Sequence, residues 1–340
     1  DFLENKFIKV TFGKDGTITS IFDKDSSREF LAGPANRFLL WEDYPNNWEA
    51  WDINGFYRET TPEQAVLEYR KVSYSGKYTA EIEQRFSIGN SIIEQKIRVT
   101  EDSRLVEIAN RVEWNEERKM LRVQAEPAVT ASEASYEIQY GTIKRSTHTN
   151  TSWDQALFEV PAHRFADLSQ PDHGFALLND CKYGHYVRNG IMDLTLLRSP
   201  KHPDPAADIG NHEFTFGYYP HKGDLVSSDV LEKAHEMNSP VYTAAVKEIP
   251  AEKVKSFFRI SGNHVKLEVI KKAEDGSGVI LRLYETMGTD TEVTLYSAEH
   301  WKSVSETDLM EDGEKKIADE GNELSLVFTP FEIKSLKLLV

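Results

Sequence analysis

Hydrophobic and polar positions alternate along most of this chain. Phe7-Ile8-Lys9-Val10-Thr11-Phe12 leads through Gly13-Lys14-Asp15-Gly16 into Thr17-Ile18-Thr19-Ser20-Ile21-Phe22, which predicts two strands about a turn, followed by a polar turn over 23–27. Three longer alternating runs, 79–86, 91–99 and 105–114, are separated by Ile88-Gly89-Asn90 and Glu101-Asp102-Ser103. They predict an antiparallel meander with Ile, Val and Phe on one face and Glu, Gln, Lys and Arg on the other. The stretches 120–125, 135–140, 174–178 and 192–197 continue the pattern, and only 62–67 and 229–237 have helical character. So much strand with so little helix implies sheets packed on sheets, an all-β chain.

Near 240 the pattern changes. Ser239-Pro240 opens a connector that closes near Pro250, and shorter strands follow at 256–260, 265–271, 278–285, 292–295, 324–328 and 332–340. The expected organisation is a large β unit over 1–240 and a small β-sandwich over 241–340. No fixed-period repeat points to a propeller or solenoid.

Composition narrows the function classes. The chain has 340 residues, 39% hydrophobic and 28% charged, ordinary for a soluble globular protein. A formal charge of -16 excludes a nucleic-acid partner, which requires a positive footprint. The basic cluster over 247–255 is diluted by Glu248 and Glu252 and reads as solvated surface. No apolar run is long enough to span a membrane. Cys181 is the only cysteine, so no internal disulfide forms and a reducing, cytoplasmic compartment is expected. Between Asp180 and Lys182, it reads as a semi-buried structural thiol. The sequon Asn150-Thr151-Ser152 then reads as chance. The chain opens on Asp1-Phe2-Leu3 and passes directly into a strand pattern, as the middle of a longer polypeptide would.

The candidate chemistry lies in two polar stretches. Residues 179–221 hold aromatic, guanidinium, carboxylate and imidazole groups among many Pro and Gly, and read as loops over a β scaffold. Residues 36–57 interleave Trp41, Tyr44, Trp48, Trp51, Phe56 and Tyr57 with Glu42, Asp43, Glu49 and Asp52, a suitable platform for a sugar or a partner domain. Asp43 with Asp52, or Glu49 with Asp52, has the residue types of an acid and nucleophile pair, whose separation would set the stereochemical outcome. Asp204, Asp208 and His212 share helical spacing, with His202 nearby, but Pro203, Pro205 and Gly210 break a helix there, so a metal site is not expected. Arg198 is expected to pair with Asp204 or Asp208. His163 and His221 read as sheet-rim residues bonded to backbone carbonyls.

Several motifs in order are similar to those of a known family. They include Leu3-Glu4-Asn5-Lys6-Phe7, Asp43-Tyr44-Pro45 with Trp48-Glu49-Ala50-Trp51-Asp52-Ile53, Ile138-Gln139-Tyr140-Gly141, Pro161-Ala162-His163-Arg164-Phe165-Ala166-Asp167, the 179–221 stretch and Pro330-Phe331-Glu332-Ile333-Lys334. Together they resemble the C-terminal part of the glycoside hydrolase family 38 α-mannosidases, the branch with cytosolic and bacterial members, over almost the whole chain. The resemblance implies a galactose-mutarotase-like super-sandwich followed by a small β-sandwich. It implies a retaining hydrolase of α-linked mannose that uses a divalent metal, zinc. The nucleophile, the acid/base carboxylate and the metal ligands belong to an N-terminal catalytic domain, so this chain is expected to hold no catalytic or metal-binding residue and to hydrolyse nothing alone. It is expected to meet that domain and a mannose-containing glycan, with homo-oligomerisation possible at family level. Golgi and lysosomal relatives carry an Arg-Arg motif where this chain has Arg198-Ser199-Pro200, so Arg198 is a candidate contact only.

The residues expected nearest the sugar are Trp51, Asp52, Tyr183, Arg198, Asp208 and His212. Trp41, Trp48 and Trp51 are expected to mark an apolar face for the catalytic domain. The alternative is a free-standing aldose-epimerase-like or carbohydrate-binding β-sandwich, with His163, or His212 with Glu213, as acid and base.

Overall fold

The alternating runs form strands with their apolar rows inward. Thr79–Ile88, Ser91–Thr100 and Val106–Trp114 pair antiparallel and bury Ile82, Phe86, Ile93, Ile97, Ile108 and Val112. They belong to a nine-stranded sheet ordered Gly141–Ser146, Glu133–Ile138, Phe165–Gln170, His173–Asn179, Gly210–Lys222, Val106–Trp114, Ser91–Thr100, Thr79–Ile88 and Val66–Ser75. A six-stranded sheet, ordered Val160–Pro161, Gly184–Arg188, Ile191–Arg198, Lys119–Ala125, Arg37–Glu42 and Glu63–Gln64, supplies Leu121, Val123, Val187, Leu194 and Phe38 to the same core. A four-stranded sheet holding the first hairpin adds Ile8, Val10, Ile18 and Ile21. The result is a broad sandwich, as the all-β reading requires.

The computed structural model describes residues 2–247 and 254–340, so most of the 247–255 cluster lies outside the described residues. The chain divides into a large unit, Asp1–Glu137 with Lys144–Pro240, and a small unit, Ile138–Ile143 with Val241–Val340. Within the small unit, a three-stranded and a five-stranded sheet enclose Leu281, Leu283, Leu336 and Leu338 with Val293, Leu295, Leu326, Phe328 and Trp301.

Some expectations need correction. Residues 62–67 are not helical: they form Glu63–Gln64 and the start of Val66–Ser75. Pairing shifts after Leu67 and Val72 break the alternation of that strand and hid it from a period-two reading. The 179–221 stretch is largely strand, and Met192, Leu194, Phe216 and Tyr218 are core residues. Pro200, Pro203 and Pro205 fall in the loop over 199–209, while the strands also bury polar residues, among them Asn179, His185, Arg188, Asp193 and His221. The helix near 229–237 is present as Val230–Asn238, with Val230, Leu231 and Ala234 buried. A further short helix, Ser152–Ala156, starts from a capping box between Thr151 and Asp154. His221 is no rim residue: it is buried, and its Nε2 lies 2.8 Å from Oδ1 of the buried Asp167. Cys181 is exposed and not semi-buried, and partial desolvation together with Asp180 pushes its thiol up to about 11.

One buried anion organises the small unit. The fully buried Glu285 carboxylate accepts the backbone N–H of Met287 at 3.0 Å, of Gly288 at 2.7 Å and of Phe331 at 2.9 Å. Burial pushes this carboxyl upward, but the amides of Phe331, Met287 and Gly288 outweigh it and hold it below its ordinary 4.5. Its stabilisation is therefore present above that value and lost as the pH falls through the lower folded value. Glu285→Gln should destabilise the chain to urea by about 1–3 kcal/mol at neutral pH, and the difference from wild type should shrink well below pH 4.5. A difference that does not depend on pH would remove the carboxylate from this role.

Candidate functional site

One rim of the large sandwich carries most of the expected site residues. In the six-stranded sheet, Lys119 pairs with Glu42, and Met120 pairs with both Trp41 and Arg198. The end of Arg37–Glu42, the start of Lys119–Ala125 and the end of Ile191–Arg198 therefore share one edge of the sandwich. The loops over 43–54 and 199–209 both spring from it.

Arg198 clamps the aromatic loop. Its Nε donates to Asp43 Oδ2 at 2.8 Å, and its Nη2 donates to Asp43 Oδ1 at 3.1 Å, to the Glu49 carbonyl at 3.2 Å and to the Asp52 carbonyl at 2.8 Å. The expected partners, Asp204 and Asp208, are not used. Asp204 Oδ1 accepts the Ala206 N–H at 2.9 Å, while Asp208 sits at φ 60° and its carbonyl oxygen lies 2.7 Å from His212 Nε2. Asp43 wins because it directly follows its strand and is carried by the sheet to the side of Arg198, whereas both alternatives belong to a loop that bonds to itself. A planar fork meeting a carboxylate and two carbonyls fixes the loop in position and orientation.

The loop itself is tightly built. Trp48 lies in the left-handed region at φ 59°, and its carbonyl accepts the N–H of Trp51 at 2.8 Å and of Asp52 at 2.9 Å. The two indoles meet edge to face with centroids 6.2 Å apart, and each is 69% exposed. Trp41 departs from the expected exposed trio: it is buried, packed edge-on against Tyr57 beside Leu39 and Met120. Glu49 spans both loops, accepting from Lys201 N at 2.8 Å and from Arg118 Nη2 at 3.0 Å. The Lys201 amide and then Arg118 hold its carboxyl below the ordinary carboxylate range. A residue held ionised in this way is a poor proton donor. Glu49 is therefore a crossbar, and Asp52 is left with its side chain exposed.

The base of the loop rests on a cluster that sequence reasoning missed. Arg122 is fully buried and donates from Nη1 to Glu159 Oε1 and to Thr195 Oγ1, both at 2.9 Å. Arg58 pairs with the buried Asp193 and lies over the Tyr186 ring at 3.4 Å, while Tyr57 donates its hydroxyl to Glu159. Burial, and then Arg122, pushes the nearby His185 down to about 3, so it remains neutral. The sequence signal was slight: Arg122 alternates with the core residues Leu121 and Val123 and reads as solvent-facing until its cover is known.

The other candidates are dispersed along the same end of the sandwich. Tyr183 precedes Gly184–Arg188, whose antiparallel pairing with Ile191–Arg198 carries it toward the Arg198 rim, and its exposed ring meets His163 edge-on at 5.8 Å. His212 pairs with Val112 near the start of Gly210–Lys222, and Glu213 next to it takes the opposite face of the strand. Among these candidates Arg198 donates to the Asp52 carbonyl, and separately His212 lies against the Asp208 carbonyl.

The model for the glycosyl hydrolases family 38 C-terminal domain matches residues 3–206. The chain belongs to glycosyl hydrolase family 38. The model for the family 38 C-terminal beta sandwich domain matches residues 264–336, in the small unit. Alpha-mannosidase G of Dictyostelium discoideum is 35% identical over 99% of this chain and 32% of its own length, and alpha-mannosidase 2C1 of Homo sapiens is 37% identical over 99% and 33%. The chain thus spans about a third of the length of the curated relatives it matches. An alpha-mannosidase from Enterococcus faecalis shares the fold at a TM-score of 0.83 and 14% identity, over 99% of this chain and 42% of that one.

The clamp predicts unequal effects of mutation. Arg198→Ala leaves Asp43 buried and unpaired, and should lower stability in urea unfolding by about 3–5 kcal/mol. Adding Asp43→Asn should recover part of that loss. Arg198→Lys should keep the fold while making Trp48 and Trp51 more accessible to acrylamide quenching. Unchanged quenching in Arg198→Lys would mean that the loop holds itself without the fork.

Proposed function

We propose that this chain is the C-terminal, rim-forming portion of a retaining α-mannosidase that acts on α-linked mannose. The observation that carries this reading is the clamped loop. Arg198 holds Trp48 and Trp51 exposed and rigid on the same rim as Tyr183 and His212, in a chain of family 38. Exposed indoles offer flat surfaces to the C–H faces of a sugar. The Asp52 carboxylate, whose Oδ1 accepts the Ile53 N–H at 2.9 Å, and the Tyr183 ring are exposed where sugar hydroxyls would be met, and Trp51, Arg198, Asp208 and His212 line or support the same edge.

The chemical step belongs to the preceding portion of the polypeptide. Among the described residues no group of three or more His, Cys, Asp or Glu side chains could hold a metal ion. The donors over 202–212 do not converge, because Asp204 bonds its own loop and His212 turns to the Asp208 carbonyl. The residues here do not fit zinc, so the divalent metal implied by the family resemblance falls to the N-terminal catalytic portion. That portion is the proposed partner of the exposed, mutually packed indoles of Trp48 and Trp51. The proposed site of action is cytoplasmic; among the described residues no helix is long and apolar enough to cross a membrane.

The pairing of His212 with Glu213 in the epimerase alternative draws no support from the geometry. His212 and Glu213 point to opposite faces of one strand, so they cannot converge on a sugar ring as acid and base.

The test compares two polypeptides. The 340-residue chain alone should not turn over 4-nitrophenyl α-mannoside. The same segment behind its catalytic portion should do so, and there Trp51→Ala should lower kcat/KM about tenfold or more, equivalent to about 1.4 kcal/mol of transition-state binding. Melting temperature and metal content should stay near wild type. Turnover by the chain alone, or a Trp51→Ala enzyme with wild-type kinetics, would overturn the reading.

A further inference from the structure

The outward face of the nine-stranded sheet carries a cleft, and its form follows from strand register. Ala109 faces away from the core, between the inward Ile108 and Asn110. Across the sheet it lies opposite Lys96 on one side and Thr215 on the other, and Lys96 in turn lies opposite Glu83. Along its own strand, Glu107 and Arg111 take the next outward positions. A methyl group ringed by longer side chains leaves a depression, and Ala109 lines one of about 600 Å³. That volume falls in the range of about 300–1,000 Å³ usual for small-molecule sites. A smaller depression of about 200 Å³ shares Arg111 and Glu94 with it and reaches Glu113 and Asn211, beside the loop over 199–209.

The charges of this face are only partly engaged. Arg85 pairs with Glu94 at 3.0 Å, and Lys71 pairs with Glu83 at 3.1 Å. Arg111 stands opposite both Glu94 and Glu213. Among the described residues, however, its side chain forms no ion pair or hydrogen bond, and neither do those of Lys96 and Glu213. The cleft therefore holds an uncommitted guanidinium fork, an ammonium and a carboxylate. Its floor is braced from beneath. On the core side the buried Gln95 donates from Nε2 to Asn110 Oδ1 at 2.8 Å and to Asn36 Oδ1 at 3.1 Å. Asp180 closes one wall, accepting the Thr215 N–H at 2.8 Å.

We propose that this cleft is a second glycan-binding site, one that takes a neutral, α-linked mannose oligosaccharide. The lining selects that class of ligand. The carboxylates of Glu83, Glu94, Asp180 and Glu213 outnumber the cations Lys96 and Arg111, which disfavours a polyanion. Phe214, the one aromatic residue of the lining, is buried in the core, so the cleft lacks the apolar centre of a protein interface. A polyol needs donors and acceptors within one small area. The Arg111 fork can donate to two adjacent hydroxyl oxygens, Glu213 can accept from a hydroxyl, and the Thr215 hydroxyl can do either. The small Ala109 side chain leaves room for the ring. The choice of mannose as the sugar rests on the function proposed above.

The test is saturation-transfer NMR titration of the 340-residue chain with a linear α-linked mannotriose. Binding of roughly millimolar strength is expected, as suits an open polar site, and it should change little with salt. Arg111→Ala and Ala109→Leu should each weaken it about tenfold or more, the first by removing charged donors and the second by filling the floor. Trp51→Ala, at the rim, should stay within about threefold of wild type. Melting temperatures near wild type report that the variants fold. No transfer to the sugar at about 20 mM, well above the expected dissociation constant, overturns the proposal. So does binding that Trp51→Ala removes and Arg111→Ala leaves intact, which would place the sugar at the rim. A sulfated trisaccharide that binds more tightly than the neutral one, and weakens with salt, would make the cleft an anion site and overturn it too. Turnover by the complete enzyme tests the proposed function separately, and none of these binding results alters it.

Discussion

The candidate rim depends on where its guanidinium groups, fully buried in Arg122 and half-buried in Arg198, find their counter-charges. Arg198 and Arg122 stand on neighbouring strands of the six-stranded sheet, and their carboxylate partners, Asp43 and Glu159, come from the chain beyond its strands. Asp43 and two loop carbonyls satisfy Arg198; Glu159 and Thr195 meet Arg122; and Arg58, from the far end of the aromatic segment, closes on Asp193. Taking a charge out of water is costly, and only good geometry with several hydrogen bonds offsets it. Few paths for residues 43–60 place all of these partners at once. The path is therefore determined at both ends, and the strained Trp48 between them is held in place.

The small unit solves the matching problem with the opposite sign. Glu285 collects amides from its own turn and from Phe331, so a single buried anion joins the ends of two segments. In both units one fully engaged charge organises a loop that apolar burial alone would leave free to move. The units differ in what is left exposed. In the large unit the clamp presents indoles to solvent, a poor choice for stability and a good one for meeting a ligand or a partner domain.

The fold itself was legible because it rests on alternation. The meander over 79–114 reads directly from Ile82, Ile93, Ile97, Ile108 and Val112, since period-two burial tolerates nearly any apolar residue at the inward positions. The same tolerance lets the Enterococcus faecalis structure share the fold at 14% identity. Legibility failed where alternation failed. Residues 62–67, which reach only the first two positions of the bulged strand Val66–Ser75, carry the pattern of a short helix, and Gly210–Lys222 is hidden by its neighbouring Pro and Gly.

The sequence alone determined the strand pattern, the family resemblance and the stretch of chain in which the rim would lie, because all three are carried by local order. It also singled out Arg198 as the residue to be aimed. Only the tertiary structure decided what aims it, since Arg198 and Asp43 are brought together by the strand Lys119–Ala125 lying between theirs. It likewise decided that Trp41 is core while Trp48 and Trp51 are exposed, and that Arg122 is buried under a segment distant in sequence. These outcomes depend on which strands become neighbours. A side chain's partner across a sheet is set by register between distant segments, which no local pattern records.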